Sequence, residues 1–344
     1  MFGGNPVFLL IISTLVIIQD DKRCWVTAAA LPNPPVNLLD RIDQASLPFD
    51  GAPYDRNDAT DVTIFILDTG VLFTHDEFTN GRVRFYNDTV TPNSPFMVDV
   101  NGHGTRCAST AAGANIGVAQ GATVESIRVA GSDGLAAAND VLAGLDDVQR
   151  WWNKNPGSKC VVSYSLISTS FSTTLNYAFG NVSKNTDCVV VVAAGNQGSD
   201  VSQADACNYS PSASPHVITV GGSRFRQNGM SDDRIGISNY GPCVDIYAPA
   251  RNIDLAAPSG SSNSHYLRSS GTSFATPAVA GAAAMILSTT SLTPTGRKTM
   301  TDLVLDILVA TSSKDKLRSL PSSNAATLPS NNRLLNVASD IFYA

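Results

Sequence analysis

Short apolar-rich runs alternate with stretches of helical character along most of the chain. The runs that we interpret as strands are residues 62–67, 124–129, 161–166, 189–193, 217–220 and 244–247. Helices are predicted near residues 139–152, 173–183 and 273–287. Continuously apolar strands that alternate with helices are typical of a parallel sheet covered on both faces. The pattern therefore predicts an α/β fold of three layers, with a mostly parallel central sheet between helices.

The predicted helix at 273–287 is apolar on nearly every side and rich in alanine and glycine. A helix without a polar face belongs in the interior of a domain, and small side chains let neighbouring elements pack closely against it. Pro277 is expected in its first turn, where the missing backbone N–H costs little. This helix should therefore lie inside the domain.

Residues 7–18 form an apolar stretch that only Ser13 and Thr14 interrupt. The stretch is too short to span a bilayer but suits the core of a signal peptide. Small residues at 28–30 offer a cleavage site, but no Lys or Arg precedes the stretch, so an N-terminal anchor is the alternative. We predict a signal peptide at 1–28, a short linker or pro-segment remnant at 29–36, and a single domain at 37–344, since no change of composition divides that region.

The composition narrows the choice of partners. Of the 344 residues, 43% are apolar and 15% are charged, which is typical of a globular protein with a large core. The net charge is −6 and the Lys and Arg residues form no cluster. Nucleic acids and anionic membrane surfaces are therefore poor candidate partners. If the chain is secreted, Asn87 and Asn181 are acceptors for glycosylation.

The cysteines agree with secretion, since five of the six follow the predicted signal peptide. Cys160 and Cys188 each stand directly before a valine-rich run. If those runs are neighbouring parallel strands, the two thiols start side by side and within bridging range. Cys207 and Cys243 would then pair by remainder and Cys107 would stay free. The alternative is five reduced cysteines in the core.

Three residue types needed for acyl transfer occupy positions where they could meet. Asp68 closes the first predicted strand, and open α/β sheets place their sites at the carboxyl edge of the strands. His103 stands between two glycines at the start of a helix. Ser273 starts another helix, whose N-terminal dipole favours the negative charge that develops in acyl transfer. Asn196, after the strand at 189–193, could donate to the oxyanion alongside the Ser273 backbone N–H.

Four motifs together carry a resemblance to a known family. They are Asp-Thr-Gly at 68–70, Asn-Gly-His-Gly-Thr at 101–105, Ala-Ala-Gly-Asn at 193–196 and Gly-Thr-Ser-Phe-Ala-Thr-Pro at 271–277. In this order they resemble the subtilase (subtilisin-like serine protease) family, most closely its proteinase K branch, over about residues 36–344. The resemblance implies that Asp68 orients and stabilises the imidazolium, His103 is general base and then acid, Ser273 is the nucleophile and Asn196 completes the oxyanion hole.

The resemblance also implies a function. We expect a secreted, monomeric serine endopeptidase that acts on proteins or peptides with an apolar or aromatic P1 residue, the residue before the scissile bond. No cofactor is expected for catalysis, and no membrane association after the signal is removed. Two backbone segments should pair with extended substrate, formed by Gly134, Leu135, Ala136 and by Ser165, Leu166, Ile167. The specificity pocket should be lined by Ala193, Ala194 and Gly195.

A structural calcium site is a further implication of the resemblance. The matching ligands are the backbone carbonyls of Pro215 and Val217 and the carboxylate of Asp245. Oxygen ligands of this kind suit a hard cation. The alternative is that Asp245 only caps or hydrogen-bonds local amides.

The chain departs from the family most seriously at Ile167, where the family has glycine. A β-branched side chain there could narrow or block the cleft, or it could point away and only reshape specificity. Ala136 also replaces a glycine in the opposite substrate segment. The inhibitory pro-domain usual in the family is not visible, because little more than residues 29–35 stands before the domain. The alternative function is therefore a catalytically impaired, protease-like binding or regulatory protein with an obstructed cleft.

Overall fold

A computed structural model describes residues 15–17, 37–92, 98–226, 231–258, 263–320 and 330–343. The predicted signal peptide, its cleavage region and the linker lie outside the described residues, except for residues 15–17. The α-helices are α1 (Asn37–Ile42), α2 (His103–Ala112), α3 (Ala138–Lys154), α4 (Thr173–Asn185), α5 (Thr272–Thr289) and α6 (Met300–Thr311). Short 3-10 helices span Asp76–Gly81, Ala206–Asn208 and Asp340–Phe342.

Most strands belong to one large sheet. The strands are β1 (Leu15–Ile17), β2 (Val62–Asp68), β3 (Val83–Asp88), β4 (Thr123–Arg128), β5 (Leu135–Ala137), β6 (Lys159–Tyr164), β7 (Ile167–Ser168), β8 (Cys188–Ala193), β9 (Ile218–Phe225), β10 (Asp232–Arg234), β11 (Ile246–Pro249), β12 (Ile253–Ala256), β13 (Tyr266–Ser269), β14 (Ser313–Lys314) and β15 (Arg333–Leu334). The large sheet has the order β14-β15-β11-β9-β8-β6-β2-β4-β3, with β10 paired to β9. All neighbours from β15 to β3 are parallel.

The alternation of side chains along β2 shows how the sheet is covered on both faces. Ile64 and Ile66 belong to a core cluster with residues of α2 and α5. Phe65 and Leu67 point the other way, into a second cluster with residues of α3 and α4. Successive side chains of a strand alternate between faces, so a strand buried on both sides must be apolar throughout. The three-layer α/β prediction is confirmed.

Helix α5 is the central helix of one face, and every residue from Thr272 to Leu287 is buried. Of the helices that the structure describes, it alone is long and apolar enough to cross a membrane. Because 89% of that stretch is buried inside the protein, its composition is that of a core helix. Pro277 is the sixth residue of α5, so the prediction that it lies in the first turn was wrong.

Each predicted strand and helix overlaps an observed element. The elements without a sequence prediction are short strands, the 3-10 helices, α1 and α6, and the N-terminus of α6 is a capping box between Thr299 and Asp302. Cys160 and Cys188 are register partners at the start of β6 and β8, and they form a disulfide. A second disulfide joins Cys207 to Cys243, and Cys107 is free and buried.

Candidate active site

Asp68 and His103 form a buried pair at the carboxyl edge of the sheet. Asp68 is the last residue of β2, between β6 and β4. Nδ1 of His103 lies 2.8 and 3.0 Å from the two carboxylate oxygens of Asp68. The backbone N–H of Thr69 donates to the same carboxylate at 2.7 Å. The carboxylate therefore fixes which ring nitrogen carries the proton, and Nε2 is left to act as a base.

Glycines allow the His103 segment to approach the end of β2. Gly102 caps α2 with φ +88°, a left-handed conformation that other residues adopt at a cost. A Cβ on Gly104 would lie 2.0 Å from the carbonyl oxygen of Gly70, so only glycine permits this contact. The Asn-Gly-His-Gly-Thr motif is therefore the backbone geometry that brings the imidazole to Asp68.

Asp99 is a buried residue of this region that the sequence analysis missed. Its carboxylate accepts hydrogen bonds from the hydroxyls of Thr69 and Thr105, at 2.8 and 2.6 Å. It also accepts from the backbone N–H groups of Gly102 and Thr105, at 2.8 and 2.9 Å. Asp99 thus ties the residue after Asp68 to the first turn of α2. The signal that could have found it is an acidic residue placed shortly before the histidine motif.

Ser273 lies in the first turn of α5, where its carbonyl has unusual partners. Pro277 has no N–H to donate to the carbonyl four residues before it. That carbonyl accepts instead from Oγ of Ser165 at 2.9 Å and from Sγ of Cys107 at 3.4 Å. Burial raises the pKa of the Cys107 thiol, which therefore stays protonated as a donor. Two side chains thus fix the start of α5 at the position that Pro277 frees.

Cys107 contacts both His103 and Ser273. Sγ of Cys107 lies 3.8 Å from Nδ1 of His103, in addition to its contact with the Ser273 carbonyl. Nε2 of His103 is buried and has no hydrogen-bond partner among the described residues. The Ser273 hydroxyl donates to the carbonyl of Ser165 at 3.1 Å. The hydroxyl must rotate away from the Ser165 carbonyl before it can donate its hydrogen to Nε2. Catalytic hydrogen bonds often become short and well aligned only when substrate binds.

The electrostatics of the pair stabilise the imidazolium that forms when Nε2 takes a proton. Burial is the largest single influence and lowers the pKa of His103, but the contacts with the Asp68 carboxylate and Cys107 together hold the pKa well above its usual value. The ligand atoms of Asp68, His103 and Cys107 lie within 4.8 Å of one another, close enough to hold a metal ion. Because Asp68 already binds Nδ1 and Cys107 keeps its proton, the set is better suited to proton transfer.

Asn196 lies beside the start of α5. Its Oδ1 accepts from both the backbone N–H and the hydroxyl of Thr272, each at 3.0 Å. Two donors on one atom identify that atom as the amide oxygen, which sets the orientation of the Nδ2 donor. A Cβ built on Gly271 would lie 3.3 Å from Nδ2, so this donor faces the turn into α5. The Nδ2 donor and the first backbone N–H groups of α5 therefore converge at the end of one helix.

The two predicted substrate segments flank a groove that the chain itself fills. Strand β1 pairs antiparallel with β5 on one side and with β7 on the other. Val16 pairs with Ala136 and with Ser168, and Ile17 pairs with Leu135 and with Ile167. The groove between β5 and β7 is therefore wide enough for an extended backbone, which it binds by strand addition.

Comparisons with known proteins agree with this geometry. The sequence profile described as "Subtilase family" matches residues 59–325 of the chain.

The chain belongs to the subtilase family.

Its subtilase relatives include an "Extracellular serine proteinase" of Thermus sp. (strain Rt41A), which is 40% identical over 270 residues, or 78% of this chain and 60% of that protein. The "Subtilisin-like serine protease Pen ch 13" of Penicillium rubens is 35% identical over 81% of this chain and 66% of that protein. A crystal structure of a "cold adapted subtilisin-like serine proteinase" matches with a TM-score of 0.72 and 33% identity, covering 88% of this chain and 98% of that one. The chain thus spans about 60% of the length of the Thermus relative.

Ile167 is the main departure from the subtilase pattern, and its side chain lies in the predicted specificity pocket. It is 3% exposed and packs in a small apolar cluster with Ala193 and Tyr209. Its Cδ1 would lie 2.7 Å from a Cβ on Gly195. The side chain therefore reaches from one predicted wall of the pocket to the other, while its backbone stays in the groove and pairs with β1. Of the two orientations left open by the sequence, this is the one that fills the pocket.

The residues predicted to bind calcium lie near the start of β9. Val217 is buried directly before this strand and Pro215 is exposed. The carboxylate of Asp245 accepts from the backbone N–H of Thr219 at 2.8 Å, and no cationic side chain pairs with it among the described residues. Burial raises the pKa of Asp245 to about 7, with a further contribution from Asp302. A buried carboxylate that pairs with no cationic side chain among the described residues fits a hard cation.

Proposed function

We propose that this subtilase is a secreted serine endopeptidase that hydrolyses peptide bonds through Asp68, His103 and Ser273. The observation that carries the proposal is the buried Asp68–His103 pair, whose Nε2 has no partner among the described residues and whose neighbour Cys107 also contacts Ser273. A base of this kind beside the hydroxyl at a helix N-terminus is the arrangement that activates serine for acyl transfer. The extracellular relative from Thermus supports secretion.

The proposed reaction has two halves. In the first, Oγ of Ser273 attacks the peptide carbonyl while Nε2 of His103 takes the hydroxyl proton, and Asp68 stabilises the imidazolium. The negative oxygen of the tetrahedral intermediate is stabilised by Nδ2 of Asn196 and the backbone N–H of Ser273. His103 then gives its proton to the leaving amine, and the acyl group stays on Ser273. In the second half, water attacks the acyl-enzyme with His103 again as base, which releases the acid and restores the hydroxyl.

Substrates are proposed to be proteins or peptides that bind as an extended strand between β5 and β7. The antiparallel pairing of β1 with β7 sets the direction of such a peptide. Because β7 runs away from Ser165, a peptide antiparallel to it runs toward Ser165 and so toward Ser273 at its carboxyl end. Residues before the scissile bond thus occupy the groove.

We also propose that the secreted chain is a monomer, that its disulfides suit an oxidising compartment, and that Asn87 and Asn181 are glycosylated.

A binding or regulatory protein with an obstructed cleft is the second candidate. The packing of Ile167 inside the predicted pocket favours it. Against it, β1 shows that the groove itself admits a peptide backbone, so Ile167 restricts side chains rather than the main chain.

Turnover of an unfolded protein separates the two candidates. The full chain is incubated with reduced and alkylated casein, and the new chain termini are identified by mass spectrometry. We expect cleavage at many bonds that is absent for a Ser273→Ala variant prepared in the same way. A folded chain that binds casein and generates no new termini would instead establish the binding protein.

In a chain that keeps residues 1–28, weakening β1 should raise the peptidase activity, and removal of the predicted signal peptide would take β1 away altogether. Since β1 occupies the groove, substrate can bind only when β1 leaves. An intramolecular segment has an effective concentration of about 1 mM. If β1 binds the groove with a Kd of about 0.1 mM, β1 therefore occupies the groove in about nine-tenths of the chains. Val16→Pro removes an N–H that the strand needs, so we expect kcat/KM for a peptide to rise about tenfold.

The matched control for this prediction is Val7→Pro, which places the same residue outside β1. It should leave kcat/KM at the level of the unchanged chain. A synthetic peptide with the sequence of residues 10–22 should inhibit the Val16→Pro variant competitively. Equal rates for the two proline variants would show that β1 does not compete with substrate.

We propose that calcium is held by Asp245 and the carbonyls of Pro215 and Val217 and stabilises the fold. Without the ion, protonation of Asp245 stabilises the folded state, and this contribution is present below pH 4 and lost as the pH rises through about 7. At pH 8, calcium at 100 times its Kd should add about 2.7 kcal/mol to the free energy of unfolding and raise the Tm by about 4 °C.

The measurement is the Tm of the full chain in calcium and in chelator. Asp245→Asn keeps an acceptor for Thr219 but loses the charge, so its Tm should be the same in both buffers. Asp306→Asn alters an exposed carboxylate on α6 and should keep the full calcium response. A Tm of the unchanged chain that does not respond to chelator would exclude a stabilising calcium site.

A further inference from the structure

The side chains around Ser165 show which face of the substrate segment meets the reacting residues. Oγ of Ser165 donates to the Ser273 carbonyl at 2.9 Å. Leu166 points the opposite way, into the core beneath α3 and α4. In an extended segment, residues two apart share a face. Ile167 therefore projects from the same face as Ser165, toward the space beside Ser273.

The opposite wall of that space is built from small residues on a rigid support. Ala193 is the last residue of β8 and Gly195, with φ +100°, follows two residues later, whereas the Ala194 side chain between them belongs to a separate apolar cluster. Asn239 holds this wall, because its side-chain amide donates to the Ala194 carbonyl and its backbone N–H donates to the Gly195 carbonyl, each at 2.9 Å. A wall held in this way cannot retreat to admit a bulky group.

The Ile167 side chain occupies the space between the two walls. It contacts Ala193 and Tyr209, and a Cβ on Gly195 would lie 2.7 Å from its Cδ1. Tyr209 is itself fixed by a hydrogen bond from its hydroxyl to the Gln203 carbonyl at 2.9 Å. The Ile167 side chain is therefore packed and buried, and a substrate cannot displace it as it could displace a flexible group.

The groove and the pocket therefore differ in what they accept from a peptide. Along the groove, the backbone of Ile167 pairs with the strand β1, so a peptide main chain is accepted. Below the groove, the Ile167 side chain takes the volume that a large P1 side chain needs. We propose that Ile167 closes the specificity pocket and restricts cleavage to peptides with Gly, Ala or Ser at P1. This inference rests on the proposed function and replaces the aromatic P1 preference that the resemblance implied.

The test measures binding separately from turnover. Peptides that differ only in Ala or Phe at P1 are titrated into a full-length Ser273→Ala variant, and Kd is measured by competition in fluorescence anisotropy. With Ile167 present, we expect the Ala peptide to bind about 100-fold more tightly than the Phe peptide. Ile167→Gly in the same background should raise the affinity for the Phe peptide by about 100-fold and leave the Ala peptide nearly unchanged.

Two further variants separate a change in the pocket from a folding defect of the glycine variant. Ile167→Ala opens part of the pocket with less backbone freedom than glycine and should shift the preference in the same direction. Ile167→Leu conserves the volume and should keep the preference for the Ala peptide. Equal binding of the two peptides to the Ile167 chain, or an unchanged preference in folded Ile167→Gly and Ile167→Ala variants, would overturn the inference.

Turnover of the same two peptides by the chain with Ser273 intact separates this inference from the proposed function. An Ala preference in binding, without cleavage of either peptide, supports the closed pocket and refutes the peptidase. Cleavage that is fastest for the Phe peptide supports the peptidase and overturns the closed pocket. The expected result is cleavage of the Ala peptide with a kcat/KM about 100-fold above that of the Phe peptide.

Discussion

Replacing Ser273 by alanine is expected to lower kcat for peptide hydrolysis by about 10⁶-fold, the order of the loss measured when the nucleophile of subtilisin is removed. The physical reason is that no acyl-enzyme can form without Oγ. What survives is water attack on a carbonyl still polarised by the oxyanion donors, which gives only a small residual rate. Since Ser273 Oγ donates only to the Ser165 carbonyl, the variant loses one hydrogen bond and should fold normally.

The measurement is single-turnover hydrolysis of a fluorogenic peptide with Ala at P1, followed for the unchanged chain and the variant at equal concentration. Ser288→Ala is the matched control, because Ser288 is a half-buried serine near the far end of the same helix whose hydroxyl also makes one hydrogen bond, to Asp61. Its kcat should stay within about twofold of the unchanged chain, since Ser288 lies away from the reacting residues. A Ser273→Ala variant that retains a tenth or more of the activity would show that another group is the nucleophile.

Asn196→Ala should lower kcat by about 10²- to 10³-fold, the loss measured in subtilisin itself when one oxyanion donor is removed, with little change in KM. The effect falls on kcat because the Nδ2 donor meets negative charge only in the transition state. Removing the side chain also takes an acceptor from Thr272, whose N–H and hydroxyl both bond to Oδ1. A loss of stability therefore has to be separated from the loss of rate.

The Asn196→Asp variant provides that separation. Aspartate keeps an oxygen for the two Thr272 donors but offers no Nδ2–H to the oxyanion, and its charge opposes the negative intermediate. Its Tm should stay close to that of the unchanged chain while kcat falls at least as far as in Asn196→Ala. If either variant instead raises KM and leaves kcat unchanged, Asn196 binds substrate in its ground state and does not stabilise the transition state.

The sequence predicted the parts of the site that depend on local pattern. Asp68 could be placed at the edge of the sheet because an apolar strand visibly ends there. The Cys160–Cys188 register followed from two valine runs that each begin after a cysteine, once the strands were taken as neighbours. The start of α5 followed from the change from polar residues to a continuous apolar run. In each case the pattern is set by burial of residues close in sequence.

The parts that could not be predicted depend on contacts between distant segments. Whether Ile167 enters the pocket is decided by the positions of Ala193 and Tyr209, which its own sequence neighbours do not encode. The structural role of the Asp99 carboxylate depends on its contacts with Thr69 and α2, which only the folded chain brings to it. Residues 15–17 lie in a stretch with the composition of a signal core, and nothing local indicates that they pair with β5 and β7.

The most direct test of the central claim is covalent labelling with a fluorophosphonate, which reacts with a serine only when a neighbouring base activates it. The full chain and the Val16→Pro variant are treated, digested and analysed by mass spectrometry. We predict one adduct per chain, on Oγ of Ser273, with faster labelling when β1 is weakened and no adduct in Ser273→Ala. Folded Val16→Pro protein that carries no adduct, or carries it on another residue, would contradict the account.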